Sequence, residues 1–595
     1  MTDRIMADRI MADRIMADRI MADRIMADRE ADDGLARIRY PVLWHRLTAI
    51  VEEQARSLIK TAFSETVSEA GDLSAGVFDT RGRMVAQAVT GTPGHVNSMA
   101  EAVGYFLEKF PAAEMKPGDH FITNDPWLSS GHLHDITVVS PAFHRNEPVA
   151  LFACTCHQVD IGGLGQCPDG RSIYEEGLFI PIMRLAREGT FNEDLFEIVR
   201  ANVRQPDPVE GDIRSYATCN RLGERRLAAM LDEYGDIRFD ALADFILDRS
   251  RDAMQDAIRA LPDGTYRNTL TLDGIDRPVI LDAALTIDGE RIVIDFDGSS
   301  PASAYGVNLV MNYTLAYTAF GVRAAVAPEI PNNAGSLAPV EVRAPLGSIL
   351  NVEKPRPVSA RHIIGQFLPD VVLGCLAKVP GLEVPAEGAA CLWGIQVRGG
   401  PEIGAAPGMN RDSDAAPFDL LSFNSGGSGA RPAADGLSAT AFPSGVRALP
   451  VEAIETRAPV VVWRKELRPD SGGAGKQRGG LGQTVEMGTR DGAPFALFAM
   501  YDRVDNPARG RNGGADGAAG AVATASGSPL RPKGRQIVGA GDRVRVDLPG
   551  GGGHGDPHDR PVEAVAADIA EGYVSAEAAR HRYGVEIGDD GAVVR

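Results

Sequence analysis

The 595-residue chain contains no run of eighteen consecutive apolar residues, so no membrane-spanning helix is expected. Cysteine is scarce. Six residues (Cys154, Cys156, Cys167, Cys219, Cys375 and Cys391) are too few for a disulfide scaffold and fit a reducing compartment. Basic residues are in deficit, with 61 Lys and Arg against 81 Asp and Glu and a formal charge of -20 at pH 7. That balance argues against a nucleic-acid partner, because phosphate binding needs a basic surface. The opening Met1-Thr-Asp-Arg-Ile lacks the apolar stretch of a secretory signal, and a cytoplasmic location is expected. The glycine-rich runs Asn424–Gly429, Ser471–Gly475, Gly479–Gly482 and Pro549–Gly553 carry neither the Lys-Ser/Thr of a P-loop nor a dinucleotide fingerprint. They read instead as tight turns and close backbone packing.

A chain of this length predicts two to four domains. Residues 1–30 repeat Met-Ala-Asp-Arg-Ile with variations at both ends. Five residues advance a helix by about 500°, so Met and Ile drift around its surface, and a frayed helix or disordered tail is expected. Apolar residues at three- and four-residue spacing predict a helix within 41–68. A hairpin over 72–88 and a helix over 96–109 follow. Residues 166–260 read as mostly helical, 264–297 as β-rich, and 312–327 and 358–380 as helical. The tail 565–584 predicts two helical pieces, with Ser575 as N-cap and Gly584 as stop. The fold class is mixed α/β and multidomain: a helical amino-terminal half with inserted sheets, and a glycine-rich, β-rich carboxyl-terminal half. Domains are expected at 31–260 (metal-binding α/β), 261–423 (mixed β/α) and 424–560 (glycine-rich β), with a terminal helix and tail at 561–595.

The densest chemistry lies in Asn124–Asp135 and Cys154–Gly163. His132, His134, Asp135, His157 and Asp160 fall in this short span, in a chain with 11 histidines. Imidazole with carboxylate suits a borderline divalent cation such as Zn²⁺, Mn²⁺ or Fe²⁺. The other reading is chance clustering near glycine-rich turns. Asp135 precedes Ile-Thr-Val-Val, which predicts a strand with the carboxylate at its start. Leu151–Cys156 predicts a neighbouring strand that delivers His157 at its end. Cys154 and Cys156 would then share a face, where buried packing is the ordinary role and thiolate chemistry the alternative.

Several ordered stretches resemble one family. They are Asp72-Leu-Ser, Phe78-Asp-Thr-Arg-Gly-Arg, Asn124-Asp-Pro with His132 and Asp135, and Ser172-Ile-Tyr-Glu-Glu-Gly-Leu. Asn220-Arg-Leu-Gly-Glu-Arg-Arg, Arg468-Pro-Asp-Ser-Gly-Gly-Ala-Gly, Arg478-Gly-Gly-Leu-Gly and Pro549-Gly-Gly-Gly-Gly continue the pattern. Over about residues 41–587 the chain resembles the hydantoinase B/oxoprolinase family, which is related to the B-type component of caprolactamase and to the alpha component of acetone carboxylase. The resemblance implies a divalent metal held by His132, Asp135 and His157, with Asp72 as a fourth ligand. It also implies an ATP-binding partner of the hydantoinase A/oxoprolinase type, a hetero-oligomer, and hydrolysis of a small cyclic amide activated by phosphorylation in that partner. Ketone carboxylation and a purely structural role remain as alternatives. Asp160 is expected to orient His157 or accept a proton. His134 stands where many relatives have Pro and is expected to act as a proton shuttle, an outer hydrogen-bond donor or a surface group. Gln158 stands where many relatives have a second His. His95 is expected to shape the substrate pocket or to serve packing. Arg171 is expected to pair with a substrate carboxylate or to make a surface ion pair.

Overall fold

The structure, a computed structural model, describes residues 38–89, 92–235, 237–400, 403, 417–588 and 593–594. The five-residue repeat lies outside them. Helix α1 covers residues 38–61. Its Leu43, Leu47, Ile50, Val51, Ala55 and Leu58 are buried, which realises the three- and four-residue spacing of the sequence.

Seven antiparallel strands follow: β1 (Leu73–Phe78), β2 (Met84–Gln87), β3 (His120–Thr123), β4 (Asp135–His144), β5 (Glu147–His157), β6 (Met183–Arg187) and β7 (Thr190–Phe191). Their spatial order is β2-β1-β5-β4-β3-β6-β7. The two-residue period of β4 and β5 sends side chains to opposite faces. Val139, Leu151 and Ala153 join Met99, Val103 and Phe106 of helix α2 (Pro93–Lys109) in one apolar cluster. Val138, Phe152, Cys154 and Cys156 join the cluster containing Tyr216. Tyr216 belongs to α4 (Pro206–Tyr234), which follows α3 (Glu193–Asn202) and packs on β4 and β5. Both faces are therefore covered, which explains why these strands read as nearly continuous apolar runs. Cys154 and Cys156 are buried free thiols, and burial pushes both thiol pKa values up, in keeping with packing. The expected mostly helical stretch holds α3, α4 and α5 (Phe239–Arg259) but also the β6–β7 hairpin. Strands of five and two residues are too short to show a period, and pairing with β3 decides their state.

A second sheet contains β8 (Gly264–Leu272), β9 (Val279–Asp288), β10 (Arg291–Asp295) and β11 (Val340–Arg343), in the order β11-β10-β9-β8. Helix α6 (Met311–Val326) packs against α2 and against α7 (Leu368–Leu376), and α7 lies on β8 and β9. In this way α6 links the two sheets. The helix expected over 358–380 forms as two pieces, His362–Gly365 and α7.

In the carboxyl-terminal half, β12 (Trp393–Gly399) pairs with β13 (Phe418–Asn424). Strands β14 (Val460–Leu467), β15 (Gln483–Thr489), β16 (Phe495–Met500), β17 (Ala521–Thr524), β18 (Lys533–Val538) and β19 (Val544–Asp547) follow. The two sheets run β13-β12-β16-β18 and β14-β15-β19-β17. The first ties residues 393–424 to residues 495–538, so it bridges the boundary expected at 423/424. Glycine density rises at that point, but strand pairing ignores composition. Ser575 caps the second terminal helical piece through Ala578 N, and Gly584 ends it at φ 64°. Among the described residues no helix is long and apolar enough to cross a membrane.

The glycine-rich runs lie side by side outside the strands. Gly427 N donates to Pro549 O at 3.0 Å, Gly480 N to Ser428 O at 2.9 Å, Gly551 N to Gly480 O at 3.0 Å and Gly473 N to Gly551 O at 2.8 Å. A Cβ at Gly427 would stand 1.8 Å from Gly480 O, and one at Gly551 would stand 2.0 Å from Ser428 O. Close approach of backbones therefore requires these glycines. Gly427→Ala should destabilise the protein by about 3 kcal/mol, since backbone cannot move aside as a side chain can. Gly539 is exposed and a Cβ there meets nothing within 4 Å, so Gly539→Ala should change stability by less than about 0.5 kcal/mol. Denaturant unfolding of the two variants checks the contrast, and equal effects would contradict the packing argument.

Candidate metal centre

Strand pairing builds the centre. Asp135, the first residue of β4, is the direct antiparallel partner of His157, the last residue of β5. Asp72 immediately precedes β1, and His157 N donates to Asp72 O at 3.1 Å. His132 and His134 lie in the turn that enters β4, and Gln158 N donates to His134 O at 2.7 Å. His95 lies in the first turn of α2, where Thr92 caps the helix. All of these side chains are buried, Asp135 fully.

Asp135 divides its two oxygens between two tasks. Oδ1 lies 2.8 Å from His132 Nε2 and 3.1 Å from His157 Nδ1. Oδ2 lies 2.9 Å from His95 Nε2, accepts from Ser130 Oγ at 2.7 Å and pairs with the Arg361 guanidinium. Burial pushes the Asp135 pKa up, but His132, His95 and Arg361 outweigh it and hold the carboxylate well below its ordinary range. Burial, with Arg361 next, pushes His132 down to about 3. Burial and the neighbouring His157 and His132 push His134 well below its ordinary value. Burial also lowers His95, but Asp135 and Asp72 outweigh it and the net shift is upward.

His132, Asp135 and His157 each offer one ligand atom, and these atoms lie within 4.8 Å of one another. Several buried lone-pair atoms here lack a hydrogen-bond partner: His132 Nε2, His157 Nε2, His134 Nδ1, His95 Nδ1 and Asp72 Oδ1. His132 Nε2 belongs to this set although it stands 2.8 Å from Asp135 Oδ1. Buried polar atoms normally find partners, so a cluster of orphaned nitrogens beside an ionised carboxylate fits a borderline divalent cation. His132 Nδ1 meets Ser359 O at 2.9 Å, which fixes the ring with Nε2 inward.

The other expected residues fall as follows. Asp72 lines the same small cavity, of about 30 Å³, with its Oδ1 3.5 Å from His95 Nδ1, but it is outside the three-residue ligand group. His95 also lines this cavity. His134 stacks on His157 with centroids 5.3 Å apart. Asp160 is not brought into the cluster. Its oxygens accept from Gly162 N at 3.0 Å, Gln205 N at 3.2 Å, Arg204 N and the Arg204 guanidinium at 2.9 Å, and none of its hydrogen bonds goes to His157. That makes it a tie between the loop after β5 and the start of α4. Arg171 is exposed, lies over the Tyr305 ring at 3.7 Å and does not line the cavity.

Sequence reasoning missed Arg361, His362, Tyr313 and Tyr317, all of which line the cavity. The one available signal was Arg361-His362, a polar pair inside the apolar stretch 358–376. Glu176 lies within one of the family stretches, where no role was expected of it; its Oε1 accepts from Val358 N at 2.7 Å and Ser359 N at 2.9 Å. Glu176 thereby positions the carbonyl that orients His132. Burial raises its pKa from 4.5 to about 8 against those two hydrogen bonds. Between these values the native state binds the extra proton, so this group's contribution to stability is present below pH 4.5 and is lost as pH rises to about 8. Glu176→Gln keeps an acceptor and removes the titration. Thermal melting over this pH window should fall less steeply with pH in the variant than in the wild type, and identical slopes would contradict the shift.

The chain is similar to known proteins both in sequence and in fold. The hydantoinase B/oxoprolinase model matches residues 36–557. The beta component of the caprolactamase of Pseudomonas jessenii is 30% identical over 91% of this chain and 94% of its own length. The crystal structure of the ATP-dependent caprolactamase from that organism superposes with a TM-score of 0.82 and 26% identity, covering 93% of this chain and 97% of that one. The 5-oxoprolinase 1 of Arabidopsis thaliana is 27% identical over 87% of this chain but only 42% of its own length. A nucleotide-free acetone carboxylase shares the fold, with a TM-score of 0.79 and 22% identity over 94% of this chain and 81% of that one. With a family model matched over most of its length, the chain belongs to the hydantoinase B/oxoprolinase family.

Proposed function

We propose that this chain is the metal-holding component of an ATP-dependent cyclic amide hydrolase, of the 5-oxoprolinase or N-methylhydantoinase type, working with an A-type partner that binds ATP. The observation that carries the reading is the buried group of His132, Asp135 and His157 with its unpartnered imidazole nitrogens. The names of the relatives, a caprolactamase component and a 5-oxoprolinase, support a ring amide as substrate. The caprolactamase described as ATP-dependent supports a requirement for ATP.

A bound Zn, Mn or Fe ion would supply Lewis acidity towards a carbonyl or lower the pKa of a water. The protein's part is to keep the ligand set in the binding protonation state. Burial keeps His132 neutral at pH 7, and Arg361 with Ser130 keeps Asp135 ionised and fixed. Asp72 and His95 face the same cavity and are placed to take or give a proton there. His134, stacked on His157, holds that ring's orientation. The cavity of about 30 Å³ is well below the roughly 300 Å³ and more of pockets that hold small molecules, so a lactam ring does not fit it as it stands. Its walls include Leu392, Phe423 and Val446 from the carboxyl-terminal half, so ring entry requires those walls to shift.

Elemental analysis of the purified chain should find one divalent ion per molecule, and a His132→Ala, His157→Ala double variant should lose it while keeping its far-ultraviolet dichroism. Full metal content in that variant would refute the ligand set. Mixed with its cognate A-type partner, ATP and a lactam or hydantoin, the chain should yield ADP, phosphate and opened ring together. Ring opening by this chain alone would overturn the division of labour. Incorporation of labelled bicarbonate into a small ketone without ring opening would establish the carboxylase alternative instead.

A further inference from the structure

A second cavity, of about 350 Å³, backs directly onto the metal cavity. Three chain segments supply walls to both. Gly71 faces the larger cavity and Asp72 the smaller; the same alternation holds for Pro93 and Thr92, for Val96 and His95, and for Gly445 with Arg447 and Val446. A single layer of residues therefore separates the two spaces. On its other side the larger cavity shares Gln87, Val89 and Asn332 with an open groove of about 640 Å³. The three spaces lie side by side from the surface inward, the last behind that layer of residues.

Two arginines line the intermediate cavity, against one exposed carboxylate, Glu69. Arg323 lies in the last turn of α6. One of its terminal nitrogens donates to Ile330 O, but its buried Nε has no partner. No carboxylate pairs with it among the described residues, and burial lowers its pKa to about 10. Leaving a guanidinium desolvated and incompletely bonded is costly unless an anion visits it. Arg447 is exposed beside Val446, and among the described residues its side chain also lacks a carboxylate partner. Guanidinium groups favour carboxylate and phosphate, whose paired oxygens match the planar fork.

We propose that this cavity is an antechamber that receives a small ligand bearing a carboxylate or phosphate oxyanion, held by Arg323 and Arg447, before its reacting carbonyl passes to the His132/Asp135/His157 cluster. The role assigned to the cluster rests on the function proposed above; the oxyanion site itself does not.

Isothermal titration of the intact chain with inorganic phosphate and, in a second arm, with acetate tests the site. Saturable binding of one anion is expected, and the anion that binds identifies which oxyanion is recognised. Arg447→Gln should weaken that binding at least tenfold with an unchanged melting temperature, because Arg447 is exposed. Arg323→Gln should weaken it as much, and if that variant does not fold, Arg447→Gln decides alone. His132→Ala should leave the affinity within twofold. Binding of neither anion, equal affinity in Arg447→Gln and wild type, or loss of binding in His132→Ala would overturn the antechamber. Metal content measured on the same samples separates the two ideas: a chain without metal that binds phosphate through Arg447 would refute the proposed function and leave the oxyanion site standing.

Discussion

Asp135 is a fully buried carboxylate, and most of the architecture around it can be read as the means of keeping it charged. Removing such a group from water carries a penalty of several kcal/mol even after relaxation. One oxygen is committed to Arg361, Ser130 and His95, and these contacts offset that penalty. The other is left facing two imidazoles. Arg361 comes from a segment more than two hundred residues away, so the carboxylate couples the first sheet to the region around α6 and α7. Arg361 also lies over the Tyr313 ring at 4.0 Å, and Tyr313 is part of α6. The helix that joins the two sheets thus also carries the platform on which the counter-ion rests.

Register explains why the two central ligands meet. Asp135 and His157 are cross-strand partners, and their ladder runs back through Ile136–Cys156 and Thr137–Thr155. A slip of one residue would turn the apolar set of β4 from one covered face to the other. With α2 on one face and α4 on the other, each face is matched to its own side chains, and the same packing that protects the core fixes the ligand geometry. Gly223 shows how tight that fit is, since a Cβ there would stand 2.5 Å from the Phe152 ring.

The parts of this arrangement that were legible in the sequence are the local ones. His132, Asp135 and His157 fall within a span of two strands, and the apolar runs that follow Asp135 and precede His157 announce those strands. The helices α1 and α4 announce themselves by period. Tyr313 was not legible, and the polar pair Arg361-His362, which stands out in an apolar stretch, did not point to its partner because nothing local names a residue far away in sequence. Asp160 misled for the opposite reason. It sits three residues beyond His157, but the chain turns at Gly162 and Gly163, both at positive φ, and its carboxylate is spent on Arg204 and the entry to α4. Proximity in sequence was a good guide along a strand and a poor one past its end. The break between His362–Gly365 and α7 was equally invisible. Gly365 abuts Tyr313, where a Cβ would stand 2.4 Å from the ring, so contact with α6 shapes this segment rather than its own helix propensity.

The walls of the metal cavity are not held equally. On the sheet side, Asp135 and His157 belong to a continuous ladder, and displacing either would break several backbone hydrogen bonds at once. On the opposite side, Val446 lies in a loop, and its neighbours are tied by single bonds, Gly445 N to Ala441 O and Arg447 N to Ala70 O, each at 2.9 Å. Local opening costs least where few backbone bonds and few apolar contacts must be given up. One half of the cavity wall is thus held by a continuous ladder, and the other, which faces the arginine-lined space, by a loop with fewer backbone bonds. This asymmetry lets one fold satisfy two opposed demands. A divalent ion needs ligand atoms that scarcely move, whereas a ring many times the size of the vacant space needs a wall that gives way. The β4–β5 ladder meets the first demand, and the loop that carries Val446 and Arg447 holds the opposite wall with fewer backbone bonds than the ladder.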